Sequence, residues 1–281
     1  MAYGTKTSNI MDIPLHVSSV FAPYVGDNGY KFEGSNSIRV LSIDNGTLDD
    51  YDESSATEPF GSATLVVPNE QTLELNYNKS MLLRVQNTQI QDIPVSQFSK
   101  KVALQQADSV FVPAHDAYSL GKLLAARPSA NVVEYDSTDD DIRSKFGRTI
   151  NKIRTDGADT GKSYAWVGFD FANDLTVAIN FTGTDVGYKE GKKGYLGQFK
   201  GVKVIEVPDE YLGENVYMIA ADKRAIVNVT PKMDPKQGGM TVLDKVPGFS
   251  GVEIQLRDRG DTFVLNKKAA SVASLEAPSG T

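Results

Sequence analysis

Between Pro94 and Pro128 the chain reads PVSQFSKKVALQQADSVFVPAHDAYSLGKLLAARP, and no other stretch limits the fold as tightly. Phe98, Val102, Ala103, Ala107, Val110, Ala114, Ala117 and Leu120 or Gly121 recur at three- and four-residue intervals, the period of one helix face. Asp92 suits the N-cap, and Pro94 falls in the first turn, where a missing N–H costs nothing. Pro113 removes a donor in mid-run, so a kink or a split is expected there. Unbroken, such a helix would span roughly 50 Å at 1.5 Å per residue. That is long for a globular domain of this size.

A second helix is bounded by local signals. Asp139, Asp140 and Asp141 place carboxylates at the positive end, and Ile142, Phe146, Ile150 and Ile153 make an apolar face before Gly157 stops it. Strand signals dominate from Ser163 onward. SYAWVG (163–168) leads into a short helix, FANDLTVAI; GYLGQFKGVKVIEVP (194–208) and the apolar VYMIAA (216–221) come next, the latter reading as a buried strand. Residues 226–229 and the alternating run from Val252 to Arg257 each predict a strand with one wet face. Asp261 to Leu265 predicts a last strand before a tail of small residues. Strands and helices do not alternate regularly, so the class is α+β.

Ahead of the long helix, residues 1–35 are broken by Pro14, Pro23 and the turn cluster Gly26-Asp27-Asn28-Gly29, and predict an extended arm rather than a packed element. Ile38 to Ile43 form a strand, and alternation resumes at Leu73, Leu75 and Tyr77. Between them lies DNGTLDDYDESSATEPFG (44–61), an acidic, turn-rich excursion with little that can pack, and this predicts a long hairpin projecting from the body.

The stretch GADTGKS (157–163) tests whether the chain is a nucleotide hydrolase. A phosphate loop needs four residues between its glycine and Gly-Lys-Ser, with a strand before and a helix after. Here Asp156 occupies the first glycine position, three residues separate the two glycines, and the helix comes first. The segment reads as a turn. No cysteine is present, so disulfides, thiolate metal sites and a cysteine nucleophile are excluded. The two histidines, His16 and His115, lie far apart without carboxylates at zinc spacing, and Asp49, Asp50, Asp52 and Glu53 do not follow a calcium-loop pattern. Trp166, the single tryptophan, reads as core. No catalytic constellation, cofactor site or metal site is expected. A net charge of −7 argues against non-specific attraction to nucleic acid or anionic membrane, although Lys189, Lys192, Lys193, Lys200 and Lys203 make a local basic patch. The first residues, MAYGTKTSNI, lack the apolar core of a signal peptide.

Four stretches together resemble the major capsid proteins of tailed bacteriophages, which share the Hong Kong 97 fold. FEGSNSIRVLSIDNGTLDDYD is similar to the strand entering that family's extended loop. VALQQADSVFVPAHDAYSL is similar to its spine helix, with Val112, Pro113, Asp116 and Tyr118 on the signature and His115 where an apolar residue is usual. GYLGQFKGVKVIEVPDEYL is similar to a strand pair of its axial domain, and GVEIQLRDRGDTFVLNKKAASVA to its closing strands. The resemblance implies an N-terminal arm (1–35), a peripheral domain with the spine helix (36–45, 73–128 and 223–258), an extended loop hairpin (46–72), an axial domain (129–222), and a return to the axial domain with a C-terminal tail (259–281).

It further implies a non-enzymatic subunit of an icosahedral head, located in the virion and, during assembly, in the host cytoplasm. Hexamers and pentamers would enclose double-stranded DNA through weak, non-specific contacts. An encapsulin-like shell around cargo enzymes is the alternative. The expected partners are the chain itself and a portal, with scaffolding or decoration proteins besides; no long scaffolding extension precedes residue 30. Asp49, Asp50, Asp52 and Glu53 are the expected inter-subunit contact residues.

Overall fold

The structure, a computed structural model, describes residues 18–32, 36–54, 57, 59–61, 65–86, 95–138, 140–155, 157–178, 194–229, 239–243 and 246–278. The chain divides into two compact units, Lys31–Glu74 and the remainder.

In the smaller unit, β1 (Ser37–Ser42) pairs antiparallel with β2 (Asn69–Glu74), Ser37 opposite Glu74 and Ser42 opposite Asn69. Alternation sends Val40 and Leu73 inward and leaves Leu41 outside. The acidic excursion joins the two strands. Within it Asp52 organises a turn: its carboxylate accepts the Ser54 N–H (2.9 Å) and hydroxyl (2.6 Å), and its own N–H donates to the Pro59 carbonyl (3.0 Å).

The larger unit holds two sheets. The first runs β4-β12-β8-β5-β7-β6, comprising β4 (Val132–Glu134), β5 (Ser163–Gly168), β6 (Tyr195–Phe199), β7 (Val202–Val207), β8 (Val216–Asp222) and β12 (Val272–Glu276). Every residue of β5 is buried, because both faces of the sheet are covered. Ala165 and Val167 meet α3 (Ile142–Thr155) and α4 (Phe169–Ala178) through Phe146, Ile150, Phe171 and Leu175. Tyr164 and Trp166 point to the other face, among Leu120, Leu123, Ile205 and Ile219. Each fully buried aliphatic or aromatic side chain there contributes about 1.5–3 kcal/mol of transfer free energy. The ends of α3 follow the expected chemistry. Asp141 accepts the N–H groups of Arg143 (3.3 Å) and Ser144 (3.1 Å), and Gly157 takes the left-handed φ of +82° that terminates the helix. β6 and β7 form a tight hairpin turning at Lys200 and Gly201, both at positive φ.

The second sheet is built on β11 (Gly251–Val264), which pairs antiparallel with β3 (Tyr77–Gln86), β10 (Met240–Leu243) and, at its far end, β9 (Ile226–Val229). One face carries the start of the long helical element through Phe98, Val102, Ala103 and Phe111.

Five expectations change. The long element is α1 (Val95–Gln106), a π-helical turn (Ala107–Phe111) and α2 (Val112–Ala126), with Pro113 in the first turn of α2. A π turn inserts an extra residue, so the buried face slips: Ala114 and Val110 are exposed, and Phe111, His115, Asp116, Ser119, Leu120 and Leu123 are buried. Asp92 lies outside the described residues. Second, part of the expected arm is packed. Phe21 and Val25 are buried, the Phe21 ring lies 5.1 Å from Trp166, and Trp166 Nε1 donates to the Val20 carbonyl (3.3 Å). Third, the two strands expected around Arg257 and Asp261 are one strand, since β3 pairs through the Gly260 position and β9 takes over at Asp261. Fourth, the wet faces expected on 226–229 and 252–257 are partly inside: Asn228 is buried and accepts from Thr262 (3.1 Å), and Glu253 is buried against Arg84 (Nε–Oε2 2.8 Å) and Gln255 (2.7 Å). Fifth, the small-residue tail contains β12, which lies inside the six-stranded sheet between β4 and β8.

Candidate functional site

A polar seam runs along α2 beyond the π turn. Asp116, buried on α2, accepts the Ser19 hydroxyl (2.8 Å) and the Val20 N–H (2.8 Å), and burial pushes its carboxyl above the usual range. The Tyr118 hydroxyl donates to Asp261 Oδ1 (3.0 Å), whose other oxygen accepts the Asn76 N–H (2.9 Å). Ser119 and Thr262 share a hydrogen bond of 2.8 Å, and Thr262 donates on to Asn228 (3.1 Å). His115 lies edge-on to Tyr77 at 5.1 Å, and burial lowers its pKa to about 4. Asp258 is pushed up to about 7 by burial alone, and Tyr77 to about 12 by burial and then by Asp258. The Asp116 and Tyr118 positions of the spine-helix signature thus have physical work. One ties the N-terminal segment to α2, and the other ties α2 to β11 at the root of β3. This seam joins remote parts of the chain; the Asp116 and Asp261 carboxylates are satisfied internally, whereas the Tyr77 hydroxyl, His115 Nε2, Asn228 Nδ2 and Asp258 Oδ1 are buried without a hydrogen-bond partner among the described residues.

The hairpin unit has the opposite character. Leu41, Ile43, Leu48, Tyr51, Phe60, Leu65, Val66 and Val67 are all exposed, Leu48 fully and Leu65 at 86%. So much apolar surface on one segment marks a contact surface. Asp49, Asp50, Asp52 and Glu53 are interleaved with it and are exposed too. Asp52 is occupied by its turn with Ser54. Sequence reading found these acids but missed the apolar residues among them, because Leu41 and Ile43 scan as core positions of a strand.

A groove of about 870 Å³ also runs between β4, an end strand of its sheet, and α3. Lys145, Arg148 and Lys152 line it along one side of the helix, with Glu134 across from them. Lys145 Nζ donates to the Glu134 carbonyl (2.8 Å) and pairs with Asp140 (2.9 Å), while Lys152 Nζ donates to the Ala130 carbonyl (2.8 Å). The sequence signal was present as cations at helical spacing, but it pointed to nothing without the strand beside it.

GADTGKS is a turn. Gly161 N–H donates to the Asp159 carboxylate (3.0 Å) and Lys162 N–H to the Asp159 carbonyl (3.0 Å), so these amides are spent within the segment. Lys162 is half exposed beside Asp159, 3.7 Å away. Trp166 is core, as expected. Of the expected basic patch, Lys189, Lys192 and Lys193 lie outside the described residues, as does His16. Lys200 lies over the Phe199 ring at 5.7 Å. Among the described residues no cluster of side chains suits a metal ion, and no helix is long and apolar enough to cross a membrane.

No family model and no curated protein matches this sequence. Solved structures do match it. A Mycobacterium phage Che8 chain aligns with TM-score 0.66 and 14% identity, covering 97% of this chain and 96% of that one. The capsid structure of Cyanophage P-SCSP1u aligns at 0.67 and 9% identity, covering 98% and 93%. The asymmetric unit of the bacteriophage PhiM1 mature capsid aligns at 0.61 and 11%, covering 99% and 93%. The likeness extends over nearly the whole of each chain, through both sheets and the long broken helix, and the chain therefore has the Hong Kong 97-type α+β capsid fold.

Proposed function

We propose that this chain is the structural subunit of an icosahedral bacteriophage head, self-assembling into hexamers and pentamers that enclose packaged double-stranded DNA. The observation that carries the reading is the end-to-end match, in both directions, to chains of phage capsids. The exposed apolar and acidic hairpin supports it, since such a surface is costly on a solitary subunit and is covered in a shell.

On this reading residues 46–72 are the extended loop, 129–222 with the returning 259–281 form the axial domain, and 36–45, 73–128 and 223–258 form the peripheral domain with its spine helix. Residues 1–35 are the N-terminal arm. Asp49, Asp50, Asp52 and Glu53 face basic side chains of a neighbouring subunit. A portal and, where used, scaffolding or decoration proteins complete the particle in the virion. Electron microscopy of the expressed protein tests the proposal. Closed icosahedral particles of hexamers and pentamers are expected. A monomer at high concentration would refute it, and particles from the native source that hold enzymes instead of DNA would favour an encapsulin-like shell.

A further inference from the structure

We propose that the solvent face of α3, beginning at the groove beside β4, holds the phosphate backbone of double-stranded DNA through Arg148, Lys152 and Arg154, and so lines the inside of the shell. The inference rests on the shell reading for that placement and adds to it the residues that touch the nucleic acid.

The net charge of −7 works against attraction of the whole molecule to DNA, so any affinity must come from a local arrangement. α3 supplies one. Five of its 14 residues are cations (Arg143, Lys145, Arg148, Lys152 and Arg154), and none is acidic. Neighbouring carboxylates gather at its start, where Asp140 pairs with Lys145 and Asp141 accepts the first N–H groups. In the groove Glu134 is the one carboxylate facing three cations. Beyond the first turn Arg148, Lys152 and Arg154 are all exposed, and neither guanidinium forms an ion pair among the described residues. Lys200, at the β6–β7 turn, adds a further cation: a Cβ on Gly147 would meet its Nζ at 2.8 Å, so the ammonium lies against α3.

The helical period joins these groups into one surface. At about 3.6 residues per turn, Lys152, Arg148, Thr155, Asn151 and Arg154 follow one another around a single arc, and all five are exposed. Lys152 Nζ is steadied by the Ala130 carbonyl (2.8 Å) and keeps two further protons for phosphate oxygens. Being held already, it loses little freedom on meeting an anion. Asn151 adds a neutral amide donor, a type common in contacts that position a duplex by its backbone. The arc has no aromatic or large apolar residue. Such residues anchor the core of protein interfaces, so their absence from the arc favours a sugar–phosphate backbone over an acidic protein.

The test uses fluorescent DNA duplexes of two unrelated sequences and the full-length unassembled subunit, read by anisotropy at rising salt. Both sequences should bind equally. Three phosphate contacts predict a slope of log affinity against log salt of about −2.7, a loss of roughly 40-fold between about 50 and 200 mM salt. Arg148→Ala, Lys152→Ala and Arg154→Ala should each weaken binding to both sequences alike and reduce the slope by about 1. Arg259→Ala, an exposed cation on β11, should leave both unchanged. Closed particles should bind no added duplex, because the arc is then inside. Absence of binding at low salt, slopes indifferent to the three α3 variants, or a slope reduced by Arg259→Ala would overturn the proposal. So would tighter binding of a polyglutamate peptide of equal charge, which would make the arc a site for an acidic protein. Duplex binding by closed particles as strong as that by the free subunit would overturn the interior placement. Failure of the shell reading would show differently, as no particles from the unaltered chain, on which the assay of the unassembled subunit does not depend.

Discussion

Replacing Asp258 by Asn should steepen the fall of stability in mild acid, by unbalancing the protons that His115 and Asp258 exchange on unfolding. In the folded chain His115 stays neutral down to about pH 4, and Asp258 stays protonated up to about pH 7. In the unfolded chain the histidine gains its proton near 6.5 and the aspartic acid loses its proton near 3.8. Between about pH 4 and 6.5, then, folded and unfolded states each hold one proton on this pair, the first on Asp258 and the second on His115. Equal proton counts give no slope from the pair. With Asn at 258 the unfolded state holds one more, so stability falls as pH drops through that window. At about 1.4 kcal/mol per pH unit the loss reaches roughly 3 kcal/mol by pH 4. His115→Phe should do the reverse: the folded state keeps the Asp258 proton, and stability falls as pH rises from about 4 to 7. Asp116, Asp140 and Asp222 titrate in every variant and cancel in the differences. Urea denaturation of the unassembled subunit at several pH values, followed by fluorescence of the buried Trp166, measures the slopes. Parallel profiles for Asp258→Asn and the unaltered chain would refute the reasoning, whatever their offset.

Asp116→Ala should destabilise the subunit by roughly 2–3 kcal/mol, because Ser19 and the Val20 N–H lose their acceptor in a buried site; a denaturation midpoint within error of the unaltered chain would remove the clamp role. Lys162→Ala should change stability by less than about 0.5 kcal/mol, as expected for a surface residue, and micromolar ATP binding that this change abolishes would reverse the reading of GADTGKS. Replacing residues 46–66 by a short Gly-Ser turn should leave a folded subunit by circular dichroism that sediments without forming particles, since β1 and β2 retain their register from Ser37–Glu74 to Ser42–Asn69. Intact particles or an unfolded chain would each sink the assembly role of the excursion.

Where structure depends on neighbours in sequence, reading the chain sufficed. The face and both ends of α3, the buried strand β8 and the turn at GADTGKS follow from side-chain period, caps and turn residues within a few positions. The acidic excursion was legible for the same reason, as a run with nothing to pack. Pairings across long separations had no such signature. β12 joins β4 and β8 from the far end of the chain, and its Val-Ala-Ser-Leu-Glu looks like any small-residue tail until partners on both sides satisfy its backbone. The continuity of β11 through Gly260 exists because β3 and β9 meet it in succession.

The long helix divides the two kinds of information. Its helicity was evident from the period, but the π turn moved the buried face onto His115 and Asp116, residues that period alone had left outside. What selects that face is tertiary: Ser19 and Val20 need Asp116, and Asp261 takes the Tyr118 hydroxyl. The amino-acid sequence by itself determined the elements specified by local period, caps and turns, and the surplus acidic surface. Only the tertiary structure decided which helix face is inside and which cations line a groove, because burial and charge pairing depend on groups that are close in space and remote along the chain.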